Sequence, residues 1–331
     1  MDLPDLGWND DWAALFAPHA AAGLEPARVT ADFGRGYGVT TAGGEVFAEL
    51  AGKLRHDSAK RSGLPVVGDW VAVRMKPGEP RSQLHAVLPR RTKLSRQAAG
   101  HRRAEEQVLA ANLDTVFIVA GLGAEVNKRW VERYLFAVKT GGITPVVVLN
   151  KGDLALSADA VKSEIAAIAG DAEVVVTTAT ERGGLKALRP WLKRGHTIAL
   201  LGSSGVGKSS IINRLLRDEV QVTQEVRESD SKGRHTTSHR ELFIAPNGVL
   251  LVDTPGMREL QLWEPDAPLS ELFPEIAAAA AGCKFRDCSH EAEPGCAVKA
   301  AAQAGRIDPS RLASFLKLRS EREASRKPRY G

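Results

Sequence analysis

A multidomain protein of three parts is predicted: a small β-barrel, a central α/β layer and a compact helical lobe at the C-terminus. Three observations predict it. Short alternating segments separated by turn residues recur between residues 27 and 97. From residue 113 the pattern changes to continuous apolar runs alternating with amphipathic stretches, one of the runs ending in a glycine-rich loop. All three cysteines fall between positions 283 and 296. The divisions expected are 1–26 as an N-terminal extension, 27–97 as the barrel, 98–259 as the α/β domain and 260–331 as the C-terminal lobe.

The bulk properties narrow the possibilities. The 331 residues are 43% hydrophobic and 26% charged, the composition of a water-soluble globular chain. No apolar run approaches the roughly 20 residues that span a bilayer, and the start, Met-Asp-Leu-Pro-Asp, lacks a signal-peptide pattern. A cytoplasmic protein without a membrane partner is therefore expected, and a monomer. The net charge of +5 permits a nucleic-acid partner without requiring one.

In chain order, Asn9 or Asp10 caps a short helix carrying Trp12, Leu15 and Phe16 within a loose N-terminal extension. Strands are expected at 27–32, 37–41, 45–50, 69–74 and 84–88. Five short strands in some seventy residues suit a barrel of the oligonucleotide/oligosaccharide-binding (OB) type. Basic residues cluster at Lys53, Arg55, Lys60 and Arg61 and at Arg90, Arg91, Lys93 and Arg96. They suit either an RNA-gripping rim or a plain solvated surface. Residues 100–112 are read as a polar helical linker.

In the central part, apolar strands are expected at 115–120, 145–149, 173–178, 197–201, 241–245 and 249–252, with helices at 128–139, 158–169 and from Lys208 onward. Strands apolar throughout and alternating with helices indicate a mainly parallel sheet covered on both faces. The run at 197–201 leads into Gly202-Ser203-Ser204-Gly205-Val206-Gly207-Lys208-Ser209-Ser210. This fits G-x-x-x-x-G-K-[ST], a loop whose backbone N–H groups surround a phosphate at a helix N-terminus. Lys208 reaches the β- and γ-phosphates and the Ser209 hydroxyl ligates Mg²⁺.

Asn150-Lys151-Gly152-Asp153 follows the strand at 145–149. A carboxylate at Asp153 accepts from both N1 and N2 of guanine, a donor pair adenine lacks, and such a contact is worth roughly 1–3 kcal/mol of discrimination. Lys151 lays its stem on the purine and Asn150 ties this loop to the phosphate loop. Thr178-Ala179-Thr180 stands where a second base-contacting loop is needed, and Ala179 offers a backbone contact. Asp253-Thr254-Pro255-Gly256 places Asp253 on Mg²⁺ through water and the Gly256 N–H on the γ-phosphate. Between them, Gly233-Arg234-His235-Thr236-Thr237 lies in a polar segment, 221–238, that reads as a switch. Thr236 or Thr237 ligates Mg²⁺ there, Thr236 being preferred.

The order of these motifs is unusual. In Ras-like enzymes the phosphate loop comes first and N-K-x-D last. Here N-K-x-D stands at 150, the phosphate loop at 202, the threonines at 236 and D-x-x-G at 253. The central part is thus an α/β P-loop GTPase domain with circularly permuted motifs. Position 257 is methionine, where Ras-like enzymes use glutamine to orient the attacking water. Intrinsic hydrolysis is therefore expected to be slow, with His235 the candidate to substitute.

Cys283, Cys288, His290 and Cys296 supply three thiolates and an imidazole within fourteen residues. That is a closed ligand set for one structural Zn²⁺, and no C-x-x-C pair supports redox chemistry. Asp308-Pro309 opens a helix with Leu312, Phe315 and Leu316. From Arg311 on, seven Lys/Arg face two Glu.

Together the motif order, Gly202–Ser210, Gly233–Thr237, Asp253–Met257 and the cysteine–histidine spacing resemble the ribosome small subunit-dependent GTPase A (RsgA/YjeQ) family over residues 27–310. The resemblance implies a barrel–GTPase–zinc architecture, GTP hydrolysis to GDP stimulated by the 30S subunit and its 16S rRNA, and a late maturation checkpoint. It also implies a part in hydrolysis for His235. An RNA-binding barrel whose GTP site only regulates affinity is the alternative, and turnover measured with and without 30S subunits separates the two.

Overall fold

The computed structural model describes residues 2–57, 61–75, 81–97, 106–123, 125–217, 240–253, 269–285 and 287–326. The N-terminal segment forms a short 3₁₀ turn, Leu3–Leu6, and helix α1, Asp10–Ala20. Asn9 is the cap: its side-chain oxygen accepts from the Trp12 N–H at 3.2 Å. The expectation of a loose extension is not met. Leu6, Trp12 and Phe16 are buried, and the Trp8 ring meets Trp70 edge-on at 4.7 Å. Large aromatics on one side of a short helix outweigh the polar, uninformative sequence around them.

The barrel strands are β1 (Glu25–Asp32), β2 (Tyr37–Thr41), β3 (Gly44–Leu50), β4 (Trp70–Arg74) and β5 (Arg81–Val87), with helix α2, Gly52–Asp57, after β3. They close in the order β1-β2-β3-β5-β4-β1; β3 and β5 run parallel and the other pairs antiparallel. Alternation dictates the filling: Ala27, Val29, Val39, Ala48, Val71, Val73 and Leu84 meet inside. Register shifts at Val29/Ala31 and Ala72/Val73 help the sheet to curl shut. Strands β6 (Lys93–Gln97) and β7 (Glu106–Ala111) form a separate antiparallel hairpin. The helix expected over 100–112 is thus corrected: 106–111 is a strand, its Val108, Leu109, Ala110 and Ala111 buried. The apolar run at 108–111 suits a buried strand better than the helix read from its polar flank.

The central sheet comprises β8 (Thr115–Gly121), β9 (Thr144–Asn150), β10 (Glu173–Thr177), β11 (Thr197–Leu201), β12 (Arg240–Ile244) and β13 (Leu250–Asp253). Its order is β10-β9-β8-β11-β13-β12, parallel except for β12. Helices α3 (Lys128–Thr140), α4 (Ala158–Ala169) and α5 (Lys208–Arg217) pack on it. A 3₁₀ turn, Lys186–Trp191, precedes β11. Successive residues of β8 serve opposite cores, Val116 and Ile118 on one face and Phe117 and Val119 on the other. This is why these strands read as unbroken apolar runs.

Two features join the parts. At its last residues β1 pairs with β12, Ala31 with Glu241 and Asp32 with Arg240, so barrel and central sheet share one hydrogen-bonded surface. Arg28, in the middle of β1 and 2% exposed, donates to Leu6 O, Gly68 O (3.3 Å), Asn112 O (3.1 Å) and Thr197 Oγ1 (2.8 Å). One guanidinium thus holds the N-terminal segment, the barrel and the first residue of β11.

The C-terminal lobe consists of α6 (Leu269–Leu272), α7 (Pro274–Ala280), α8 (Ala297–Gln303) and α9 (Pro309–Arg326). Phe273, Ile276, Val298, Ala301, Ile307 and Leu318 join the same buried cluster as Val131, Tyr134 and Leu135 of α3. Arg311 fastens this contact, bonding Glu132 at 2.7 Å and Glu275 at 2.6 Å and lying 4.8 Å over the Phe273 ring. The Glu132 side chain is 3% exposed. Arg311→Ala strands that carboxylate, and the expected cost is about 3–5 kcal/mol of stability. Chemical denaturation checks it; the loss should shrink when Glu132→Ala is added, because the two groups are coupled.

Candidate functional site

The site lies at the carboxyl ends of β9, β10 and β11, where a parallel sheet presents its connecting loops. β11 delivers the chain into Gly202, which is buried with Val206; Ser203, Ser204 and Gly205 are exposed, Gly207 and Lys208 half-buried, and Ser209 and Ser210 exposed on the first turn of α5. The Lys208 ammonium bends back over the loop and donates to Gly202 O and Ser203 O, each at 2.7 Å. That pose holds a cation at the loop mouth, where phosphate oxygens compete for the same donors.

Asn150, the last residue of β9 and 1% exposed, is the keystone. Its Nδ2 donates to Val206 O at 2.9 Å, and its Oδ1 accepts from Thr177 Oγ1 and from the Ala179 N–H, each at 3.1 Å. Three loops are pinned by one side-chain amide, all of whose bonds are out of water. The approach is so close that a Cβ at Gly207, where φ is +101°, would stand 2.2 Å from Asn150 Nδ2. The tie from Asn150 to the phosphate loop was legible in the sequence. The Thr177 hydroxyl was missed, because a threonine ending an apolar strand looks like any other β-branched residue.

Lys151 adopts a left-handed backbone, φ +65°, and so turns the chain out of β9. Asp153 lies exposed in the 3₁₀ turn Gly152–Leu154. The loop after β10 is closed on itself by Thr178 N–H to Gly184 O at 3.1 Å and Glu181 N–H to Thr178 O at 3.0 Å. Asp253 ends β13, its backbone in register with Glu241 of β12. Gly256, His235 and Thr236 lie outside the described residues.

Cys283, Cys288, His290 and Cys296 converge in the C-terminal lobe, their ligand atoms all within 4.8 Å of one another. Cys283 Sγ is 3.6 Å and Cys296 Sγ 3.4 Å from His290 Nδ1, and the two sulfurs are 3.9 Å apart. Around tetrahedral zinc, with bonds of about 2.0–2.3 Å, ligand atoms stand about 3.5–3.8 Å apart, so the set fits that ion. Local folding explains the convergence. Cys296 caps α8, accepting from the Lys299 N–H at 3.5 Å, and His290 sits at φ +61°, which turns the loop back on itself. Burial, aided by the Arg319 guanidinium, lowers the His290 pKa and favours the neutral imidazole a metal requires. Glu293, unnoticed in the sequence, holds the loop by accepting from the backbone N–H groups of Ser289, Glu291 and Ala292.

A parallel sheet that presents a phosphate loop and an N-K-x-D loop joined through one buried asparagine, in inverted chain order, defines the class: a circularly permuted P-loop GTPase. Comparison with known proteins then narrows it. The model of the family described as RsgA GTPase matches residues 87–263. The small ribosomal subunit biogenesis GTPase RsgA of Opitutus terrae is 49% identical over 330 residues, covering 97% of this chain and 90% of that one. The crystal structure of YjeQ from Thermotoga maritima superposes with a TM-score of 0.64 at 27% identity, covering 90% of this chain and 98% of that one. YloQ, described as a circularly permuted GTPase, shares the fold, with a TM-score of 0.64 at 24% identity over 93% of this chain and 97% of that one. The chain belongs to the RsgA GTPase family.

Proposed function

We propose that this GTPase docks on the small ribosomal subunit during its late maturation, in the cytoplasm, and hydrolyses GTP to GDP and phosphate when the subunit stimulates it. The observation that carries the reading is the Asn150 bridge, by which the base-reading and phosphate-binding loops form a single assembled pocket. The relatives' name, small ribosomal subunit biogenesis GTPase, supports the partner.

In this reading Asp153 accepts from the guanine N1 and N2 donors while Lys151 covers the ring. Ala179 keeps the second base loop against Asn150. The backbone from Ser203 to Ser210 and the Lys208 ammonium hold the phosphates. Ser209 and Thr236 would hold Mg²⁺, with Asp253 reaching it through water, and the ion would supply charge neutralisation on the β- and γ-phosphates. Gly256 senses the γ-phosphate, and His235 orients the attacking water in place of the glutamine that Met257 replaces. The Cys283, Cys288, His290 and Cys296 set would hold one structural zinc, which cross-links the lobe.

The topology supports a route to the partner. β12 begins directly after the switch segment and pairs on one edge with β13, which ends at Asp253, and on the other with β1 of the barrel. A change at the γ-phosphate therefore reaches the barrel through one strand. The basic barrel rim and α9 then meet rRNA phosphates.

The test is GTP turnover measured with and without 30S subunits. Strong stimulation is expected; GTP-dependent binding with no turnover would favour a site that only regulates affinity. Two substitutions refine it. Asp153→Asn should lower guanine affinity about tenfold or more, in line with one lost bidentate contact; isothermal titration with GDP and ADP reads the selectivity, which stays intact if Asp153 does not face the base. His235→Ala should slow stimulated turnover about 10²-fold or more while leaving the Kd for GTP near its original value. Single-turnover assays against nucleotide titration separate these quantities, and an unchanged rate would remove His235 from the chemistry.

A further inference from the structure

At the end of the central sheet opposite the nucleotide loops, the N-terminal segment, the barrel and the strand starts of β8, β9 and β11 surround a second cavity of about 490 Å³. That volume is within the range of sites for small organic ligands, about 300–1,000 Å³. Its wall combines indole and guanidinium groups: Trp8, Arg28, Arg91 and Arg194, with His196 and one lining carboxylate, Asp114. Nothing in the GTPase reaction uses these residues.

The charges are incompletely matched. Arg28 is buried, and the four bonds it makes among the described residues all go to neutral oxygens, using four of its five N–H donors. Burial lowers its pKa to about 10, against the opposing pull of the Asp114 and Asp69 carboxylates. His196 Nδ1 is buried and has no hydrogen-bond partner among the described residues. Asp114 is occupied, accepting from the Thr197 N–H at 2.7 Å. Asp5 and Asp11, which do not line the cavity, pair with Arg194 and with Arg91 (3.1 Å). In each pair one partner, Arg194 or Asp11, is well exposed, so solvent screens the attraction. The aromatic side is ordered in its turn: Trp8 is set edge-on against Trp70 and Phe16, and the Arg91 guanidinium lies 4.2 Å over Trp12. The floor requires two glycines. Gly7, at φ +84°, is pressed against Gly195, and a Cβ on it would stand 2.7 Å from Gly195 O and 3.0 Å from Arg28 Nη1.

We propose that this cavity is a second nucleotide site, for a mononucleotide either free or at the 5′ end of an RNA, with its phosphate on Arg194 beside the buried Arg28 and its base against Trp8 and Arg91. A phosphate accepts from the exposed Arg194 guanidinium and lies in the positive field of the buried Arg28, and a base stacks on indole or guanidinium whatever its identity. The site is independent of the guanine pocket, at the far end of the same strands.

The experiment uses the full chain carrying one equivalent of GDP, so that the phosphate loop is occupied, and titrates AMP with equilibrium dialysis and tryptophan fluorescence as readouts. Saturable binding of AMP in addition to the one bound GDP is expected. Trp8→Ala and Arg194→Ala, both checked for folding by circular dichroism, should each weaken it about tenfold, the effect of one lost stacking or charge-assisted contact. Asp5→Asn, which frees Arg194, should tighten it several-fold, a result that a purely structural ion pair would not produce. A short 5′-phosphorylated RNA that binds more tightly than AMP, and than its 5′-hydroxyl counterpart, identifies the RNA end as the source; AMP binding as tightly as that RNA identifies the free nucleotide. No saturable binding of AMP beyond the one bound GDP, equal binding of adenosine, or indifference to all three substitutions would overturn the proposal.

Discussion

Gly207→Ala is expected to abolish guanine-nucleotide binding in a chain that still folds, reducing affinity by more than about a hundredfold. Two independent costs meet at this residue. Its φ of +101° is one that a side-chain-bearing residue reaches only with strain, about 1–3 kcal/mol. The added methyl would also stand 2.2 Å from Asn150 Nδ2. Atoms cannot share that space, so either the phosphate loop lifts or the Asn150 amide swings away. The amide holds Val206 O, Thr177 and Ala179 at once, so its displacement uncouples the base loops from the phosphate loop. Fluorescent-GDP titration measures the affinity and circular dichroism the fold. Near-normal affinity would mean that the loop relaxes freely and that the bridge does not organise the site.

Metal removal is expected to produce the second large effect. On the reading that the four clustered residues hold zinc, wild-type protein carries one equivalent of the ion by elemental analysis, and Cys296→Ser carries none. A structural zinc contributes apparent binding energy on the order of 10–16 kcal/mol in small domains, and that energy is folding energy. Cys296 is the most telling position. It is buried, it stands 3.4 Å from His290 Nδ1, and its sulfur caps α8. In Cys296→Ser the hydroxyl can keep the helix cap, so the loss reads the missing ligand. Hydrogen exchange should then rise sharply over 283–303 on chelation. The rise should fade toward α7 and α9, where Phe273, Ile276 and Leu318 pack in the core shared with α3 and Arg311 ties the lobe to Glu132. A metal-free preparation with full protection over 283–303 would refute the zinc reading.

These predictions draw on different depths of information. The phosphate loop, the N-K-x-D loop and the cysteine–histidine set are local motifs. Their chemistry requires particular side chains at short spacings, so a run of letters suffices to find them, and their order along the chain already discloses the permutation. The barrel and the parallel sheet were equally readable, because burial on one face of a strand enforces alternation and burial on both faces enforces an apolar run.

Other features had no local signature. Residues 106–111 read as part of a polar helix, yet they form a strand, since hairpin pairing with 93–97 and burial outweigh the propensity of a short stretch. Trp8 and Trp12 gave no hint that the N-terminal segment packs against Trp70 of β4. Arg28 is the plainest case. In sequence it is one basic residue in a strand. In the fold it is a buried cation bonded to Leu6, Gly68, Asn112 and Thr197, the last of them 169 residues from it.

The sequence by itself determined most of the elements, which nucleotide chemistry they carry and in what order, because hydrophobic periodicity and short-range motif geometry are written in neighbouring residues. Only the tertiary structure decided how the parts are joined: the β1–β12 seam, the Arg28 and Arg311 ties and the cavity behind the sheet. Those rest on contacts between residues far apart along the chain, and whether a polar group there is buried, paired or left over is settled only once the surfaces have closed on one another.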